Sequence, residues 1–443
     1  MEAIKAILTA FPALLCTLGA FGLILLLARL KVPLWAAVVA GTAALAVAFR
    51  IPPTQAARAA LTGAIRPVTL GLVVITVLLL ALSQTMRSAG QLEQIVSLAR
   101  MLLRRPAVAM AALPALIGLL PMPGGALFSA PMVESAAGQT RVSGGRLSAI
   151  NYWYRHIWEH WWPLYPGVVL ATSLTRSTLG AFIAFQVPLG VFMAASGVLI
   201  FRRAHPDLHV TAAAPAKGTA LKLLGATSSI WVIMLVWAAG SAALKALPQG
   251  ALPDSFRKDA AKFVPIGLGL LVSLIWTARL NRLGGRGLAK VMATRSIYAM
   301  VGLVVAVMVF QYMLEDAEAA RRIAAELSRQ RIPVTLVVAV LPFVAGMVTG
   351  LAIGFVGVSF PIVVGLVAAM PGEVPLRPYA VLAYGCGHLG MMLSPLHLCH
   401  VVSNRYFNTT FGPVYRRILP PAAVLAALVG GYFAALRTIL AAR

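Results

Sequence analysis

Leu113-Pro114-Ala115-Leu116-Ile117-Gly118 opens an apolar stretch that runs through Pro121, Pro123, Gly124 and Gly125 to Ser129-Ala130-Pro131. A second stretch runs from Leu341-Pro342-Phe343-Val344-Ala345-Gly346 through Gly354 and Gly357 to Ser359-Phe360-Pro361. Proline removes a backbone donor and clashes with the preceding turn, and glycine frees the backbone from helical geometry. Neither stretch therefore reads as one regular helix; each reads as an apolar hairpin. Each is followed by a segment that a proline interrupts, Trp162-Pro163-Leu164 within Asn151–Gly167 and Ser394-Pro395-Leu396 within Tyr384–His400. Matching positions differ by 228 (Pro114 to Pro342), 230 (Pro131 to Pro361, Tyr154 to Tyr384) and 232 (Pro163 to Pro395). So steady an offset predicts an internal duplication, the plan of many secondary transporters.

Composition sets the solvent. Of 443 residues, 60% are hydrophobic and 11% charged, and the mean hydropathy is +0.88. Soluble proteins carry about 25% charged residues, and apolar runs of about 20 residues are the length of a bilayer crossing. The expected class is an all-α polytopic membrane protein; the runs lack the two-residue alternation of an outer-membrane barrel. The net charge of +25 does not point to nucleic acid, because Lys and Arg sit in short loops where they orient helices and meet anionic lipid head groups. Cys16, Cys386 and Cys399 lie inside apolar segments, which argues against a disulfide framework. The first apolar run, Ile4–Leu30, is too long for a signal-peptide core and is expected to remain as the first span.

Along residues 1–201 the pattern predicts spans at 8–28, 33–49 and 67–86, a polar amphipathic segment at 88–104, the hairpin at 106–137, the interrupted span at 148–172 and a last span at 179–201. Residues 202–220 read as a linker. Residues 221–443 repeat the order, with spans at 221–246, 262–281 and 295–314, a polar helix at 315–330, the hairpin at 333–371, the interrupted span at 377–403 and a last span at 412–437. Each half then makes an odd number of crossings, so the second copy is expected to be inverted relative to the first. Summed over the loops, the side reached at the end of the first span collects the larger share of Lys and Arg, including Arg29, Lys31, Arg104 and Arg105. The positive-inside rule makes that side cytoplasmic and puts both termini outside a prokaryotic inner membrane.

The strings Leu119-Leu120-Pro121-Met122-Pro123-Gly124-Gly125-Ala126-Leu127-Phe128-Ser129-Ala130-Pro131 and Tyr154-Arg155-His156-Ile157-Trp158-Glu159-His160 are similar to those of a prokaryotic membrane family, domain-of-unknown-function family four-oh-one. The paired hairpins and broken helices resemble the wider ion transporter superfamily of gluconate, citrate and dicarboxylate symporters and arsenite permeases. The resemblance implies a scaffold domain, a moving transport domain and, in many members, a homodimer. The Ser-Asn-Thr signature of the sodium-coupled dicarboxylate members is absent from both hairpin tips, so their Na⁺ and carboxylate ligands are not carried over.

Polar groups concentrate in the two interrupted segments. Arg155, His156, Glu159 and His160 fall within six residues, and His388, His397 and His400 lie in the second segment. A continuous helix would put His156, Glu159 and His160 on one face. Ionisable groups at membrane depth are costly and are usually functional. The expected site joins Gly124, Gly125, Ser129, Arg155, His156, Glu159, His160 and Pro163 to Gly354, Gly357, Ser359, His388, Pro395 and His397. Its hairpin-tip hydroxyls and backbone donors would bind a small, anionic solute. Its His and Glu groups would carry protons, with Na⁺ as the alternative coupling ion and no cofactor. Other readings are a structural ion pair at the cytoplasmic interface, a passive channel, or an intramembrane zinc enzyme on His156-x-x-Glu159-His160, the inverted zinc-protease pattern. No Gly-x-Ser-x-Gly elbow surrounds Ser129 or Ser359, and no phosphate-binding Gly-x-x-x-x-Gly-Lys loop is present.

Overall fold

The computed structural model describes residues 12–103, 105–119, 121, 125–138, 142–201, 217–248, 253–370, 372 and 374–441. These residues form 21 α-helices, one 3-10 turn and no strand. Seven helices are long and apolar enough to cross a membrane: Pro12–Arg29, Pro67–Ser88, Leu179–Phe201, Ser228–Ala246, Phe263–Leu280, Arg295–Asp316 and Phe411–Leu440. Their outward faces carry exposed Leu26, Leu70, Val191, Leu235, Leu268 and Tyr298. In a soluble protein an exposed apolar surface of this extent would mark a binding face; in a bilayer it is the ordinary lipid-facing surface.

Inside lie shorter helices. The first hairpin has arms Pro106–Gly118 and Ala126–Ala137, and the second has arms Val334–Thr349 and Ala352–Ala368. At 1.5 Å per residue the first pair of arms reaches roughly 20 Å and the second roughly 25 Å, less than a hydrocarbon core of about 30 Å. The first broken helix is Gly144–Arg155 followed by Pro166–Leu174, and the second is Leu376–Met392 followed by Leu398–Tyr406. Almost every residue of the two longer pieces is buried, as expected of helices packed on all sides.

The hairpins lock onto the broken helices through glycine. A Cβ at Gly118 would collide with the carbonyl oxygen of Arg155, and a Cβ at Gly346 with that of Gly387. Hydrogen bonds reinforce both contacts: Trp158 Nε1 donates to the Ala115 carbonyl at 2.7 Å, and Ser394 Oγ to the Met347 carbonyl at 2.6 Å. The second pieces then cross over. Pro166–Leu174 packs on Ala352–Ala368, and Leu398–Tyr406 packs on Ala126–Ala137 and Gly144–Arg155. Asn151 Nδ2 donates to Ser403 Oγ at 2.8 Å and Ser148 Oγ to Asn404 Oδ1 at 2.6 Å across that contact. Each broken helix thus ends against the other hairpin, which brings the two interruptions together.

Three helix ends share one device. Lys31, Arg50 and Arg331 take positive φ (64°, 55° and 56°), and each is followed by an apolar residue and a proline. The apolar residue bonds back to the carbonyl five positions earlier, Ile332 to Leu327 for example. This is a Schellman-type stop, and the proline prevents the helix from resuming. Proline then opens the next helix, as it does at Pro106 and Pro166.

The polar segment expected at 315–330 is the helix Ala319–Arg329. Buried Glu326 accepts the backbone N–H groups of Ala13 and Leu14 at 2.8 and 2.9 Å and so caps the N-terminus of Pro12–Arg29. Two helices, Pro53–Ile65 and Gly285–Met292, fall where loops were expected. The linker expected at 202–220 lies largely outside the described residues.

Candidate functional site

A cavity of about 130 Å³ occupies the point where hairpins and interruptions meet. Six elements line it. The first hairpin contributes Pro121, and the first interruption contributes Arg155, His156, Glu159, Tyr165, Pro166 and Gly167. The second hairpin contributes its tip, Gly350 to Ile353, and the second interruption contributes Met391, His397, Leu398 and Cys399. Leu80 and Met300 close it from two of the long helices. At the second tip Gly350 has φ of 61°, a left-handed conformation that suits glycine, and a Cβ there would stand 3.0 Å from the backbone of His397.

Three helices turn their N-termini to this cavity: Pro166–Leu174, Ala352–Ala368 and Leu398–Tyr406. Unsatisfied N–H groups and the aligned peptide dipoles make helix N-termini favourable for anions. Arg155, the last residue of its helix and 2% exposed, adds a full positive charge. Its guanidinium packs against Gly125, where a Cβ would overlap Nη2, and has Tyr165, Cys399 and Glu159 as electrostatic neighbours.

Aromatic and imidazole rings pack behind and beside the lining. The Tyr152 ring stacks on His400 with centroids 4.5 Å apart and meets His156 and His397 edge-on. Its hydroxyl donates to the Met392 carbonyl at 3.0 Å, tying the first broken helix to the end of Leu376–Met392. The Tyr384 hydroxyl donates to the Glu159 carbonyl at 2.8 Å, and the Tyr165 hydroxyl donates to the Gly118 carbonyl. These bonds satisfy carbonyls that the interruptions leave without helical partners, as non-helical backbone at membrane depth requires.

Residues 13–213 and 252–435 match the family described as "Protein of unknown function (DUF401)". The chain belongs to that family. No curated protein sequence matches it. Among solved structures it is similar to the Alcanivorax borkumensis YdaH transporter, at 15% identity with a TM-score of 0.53 over 86% of this chain and 87% of that one. It is also similar to Neisseria gonorrhoeae MtrF, described with a class of antimetabolite efflux pumps, at 13% identity with a TM-score of 0.53 over 84% of this chain and 83% of that one. At these identities the likeness is one of fold.

In this DUF401 chain the fourteen residues expected at the site divide into groups. Arg155, His156, Glu159 and His397 line the cavity, and Gly125 stands behind Arg155. Gly124 lies outside the described residues. Ser129 and Ser359 are not tip hydroxyls: both sit inside second hairpin arms and donate to their own helix, Ser359 to the Phe355 carbonyl at 2.6 Å. Gly354 and Gly357 lie in the same arm and pack against Thr349 and Val307, because the actual tip is Gly350-Leu351. Pro163 is buried in the first interruption and Pro395 is exposed in the second; neither lines the cavity.

The expected common face of His156, Glu159 and His160 does not form. The helix stops at Arg155, so the four-residue spacing no longer places side chains together, and His160 turns to His388 with ring centroids 3.8 Å apart. That pair is fully buried and outside the cavity lining. It removes His160 from the zinc-enzyme set. Tyr165, Gly350 and Cys399 were not anticipated. Tyr165-Pro166-Gly167, mirrored by His397 just before Leu398, was the available signal for a helix restart.

Proposed function

We propose that this protein is a secondary active transporter that moves a small, anionic solute by alternating access, coupled to H⁺ or Na⁺. The cavity carries the reading, since six elements converge there and three of them present helix N-termini beside a buried guanidinium. A carboxylate or oxyanion placed there would meet Arg155 through paired N–H donors in a region of low dielectric. Glu159 and the paired imidazoles of His156 and His397 supply groups whose charge changes with protonation.

The equivalent contacts of Gly118 with Arg155 and Gly346 with Gly387 support two copies of one unit, the odd number of crossings per half argues that the second is inverted, and arms shorter than the hydrocarbon core support re-entrant hairpins. The apolar outer helices support a multi-pass inner-membrane location with lipid as the surrounding partner. Both termini are outside on the Lys and Arg distribution, and a homodimer follows from family resemblance. The fold shared with YdaH and MtrF supports transport of a small molecule.

A thermal-shift screen of organic acids and inorganic oxyanions, with Na⁺ and pH varied, tests the proposal, because a ligand stabilises the state it binds. The expected result is a concentration-dependent rise in Tm for one class of anion that changes with Na⁺ or pH. A rise produced only by cations or neutral solutes would remove the anionic substrate from the reading.

A further inference from the structure

The donor atoms of His156, His397 and Cys399 all lie within 4.8 Å of one another, and the three residues are 1%, 5% and 5% exposed. Backbone carbonyls hold both rings. His156 Nδ1 lies 2.6 Å from the Tyr152 carbonyl oxygen and His397 Nδ1 lies 3.4 Å from that of Met391. A carbonyl only accepts, so each Nδ1 carries the proton and each Nε2 keeps a lone pair free to bind. Glu159 Oε1 is 3.8 Å from His156 Nε2. The Cys399 thiol contacts the His156 ring and the Arg155 guanidinium.

We propose that His156, His397 and Cys399, with Glu159 as fourth donor, form a binding site for a d-block cation of the Zn²⁺ class. Two imidazole nitrogens, a thiolate and a carboxylate oxygen are the ligand types of a tetrahedral zinc centre, whereas Na⁺, Mg²⁺ and Ca²⁺ take oxygen donors. Ligands at zinc distances stand roughly 3.3–3.8 Å apart at tetrahedral angles. Among His156, His397 and Cys399 the widest pair closes by roughly 1 Å to meet that spacing, and Glu159, 3.8 Å from His156 Nε2, turns toward the three to complete the set. The carbonyls behind both rings are the orienting partners that metal-bound histidines use. Cys399 and Glu159 together neutralise a divalent ion, and Arg155 remains to hold an anion. The site rests on the transporter reading only in that ion and solute share one cavity, so each changes the affinity for the other.

The test is a Co²⁺ titration of the metal-stripped, full-length protein in detergent, followed by displacement with Zn²⁺. One equivalent of Co²⁺ should give a thiolate-to-cobalt charge-transfer band and the intense visible bands of four-coordinate cobalt, and should release the thiol proton to solvent. Cys399→Ser should abolish the charge-transfer band, and His397→Ala should weaken binding at least tenfold. Cys386→Ser should change neither. A wild-type titration with no charge-transfer band, or a band that survives Cys399→Ser, overturns the proposal. Solute uptake in proteoliposomes separates the two readings: uptake without metal binding rejects the metal site alone, and metal binding without uptake rejects the transporter.

Discussion

Gly125→Ala probes how the cavity holds its positive charge. The added methyl carbon would stand 2.6 Å from Arg155 Cζ and 3.1 Å from Nε, and would overlap Nη2. Arg155 is 2% exposed and lines the cavity, so its guanidinium yields to the methyl by swinging into the cavity and out of its place between Gly125, Tyr165 and Cys399. Overpacking a filled site by one methyl costs about 1–3 kcal/mol. If that energy falls on the position of Arg155, the Kd for an anionic solute rises by about 5- to 150-fold. The assay is the concentration dependence of the thermal shift for the anion found by screening, together with the KM for uptake. Gly430→Ala is the control, because no heavy atom lies within 4 Å of its Cβ position. Wild-type Kd and Tm in Gly125→Ala would refute the reasoning, since they would mean that the guanidinium is free to move.

Other outcomes follow from single contacts. Gly346→Ala drives a methyl into the Gly387 carbonyl and to 2.7 Å from the Met391 nitrogen. It should cost about 1–3 kcal/mol, read as a Tm well below that of Gly225→Ala, where the space is open. Glu326→Ala leaves the N–H groups of Ala13 and Leu14 unpaired at a buried helix end and should cost about 1–3 kcal/mol by thermal unfolding; an unchanged Tm would show that the cap is not stabilising. Tyr384→Phe removes the hydrogen bond to the Glu159 carbonyl and should cost about 1 kcal/mol, with a lower Tm as the readout.

The helices and the two interruptions were readable because their causes are local. Pro106, Pro333 and Pro375 precede or open apolar runs, and Pro163 and Pro395 fall within the two interruptions. Pro53–Ile65 has the local signals of a helix, an opening proline and five alanines, but Thr54, Gln55, Arg58 and Thr62 make it too polar to read as a span; it packs on Arg295–Asp316. Within the site, Arg155, His156, Glu159 and His397 were legible as ionisable groups in an apolar context. A 3.6-residue period groups His160 with His156 only while the helix continues, and the helix stops at Arg155. Gly350 was passed over for Gly354 and Gly357 because composition alone does not say which glycine takes positive φ. Cys399 was read only as apolar filling, since its neighbours His156 and Arg155 lie more than 240 positions away in the chain.

On the proposed function, the converging tips and interruptions form the solute site of a transporter that works uphill. Proteoliposomes containing the purified protein test it when loaded with an imposed H⁺ or Na⁺ gradient and an organic anion outside. The expected result is accumulation above the external concentration, collapse of that accumulation on adding an ionophore, and its loss in Arg155→Ala protein that retains a cooperative thermal transition. Equilibration without accumulation, or accumulation by Arg155→Ala equal to wild type, would contradict it.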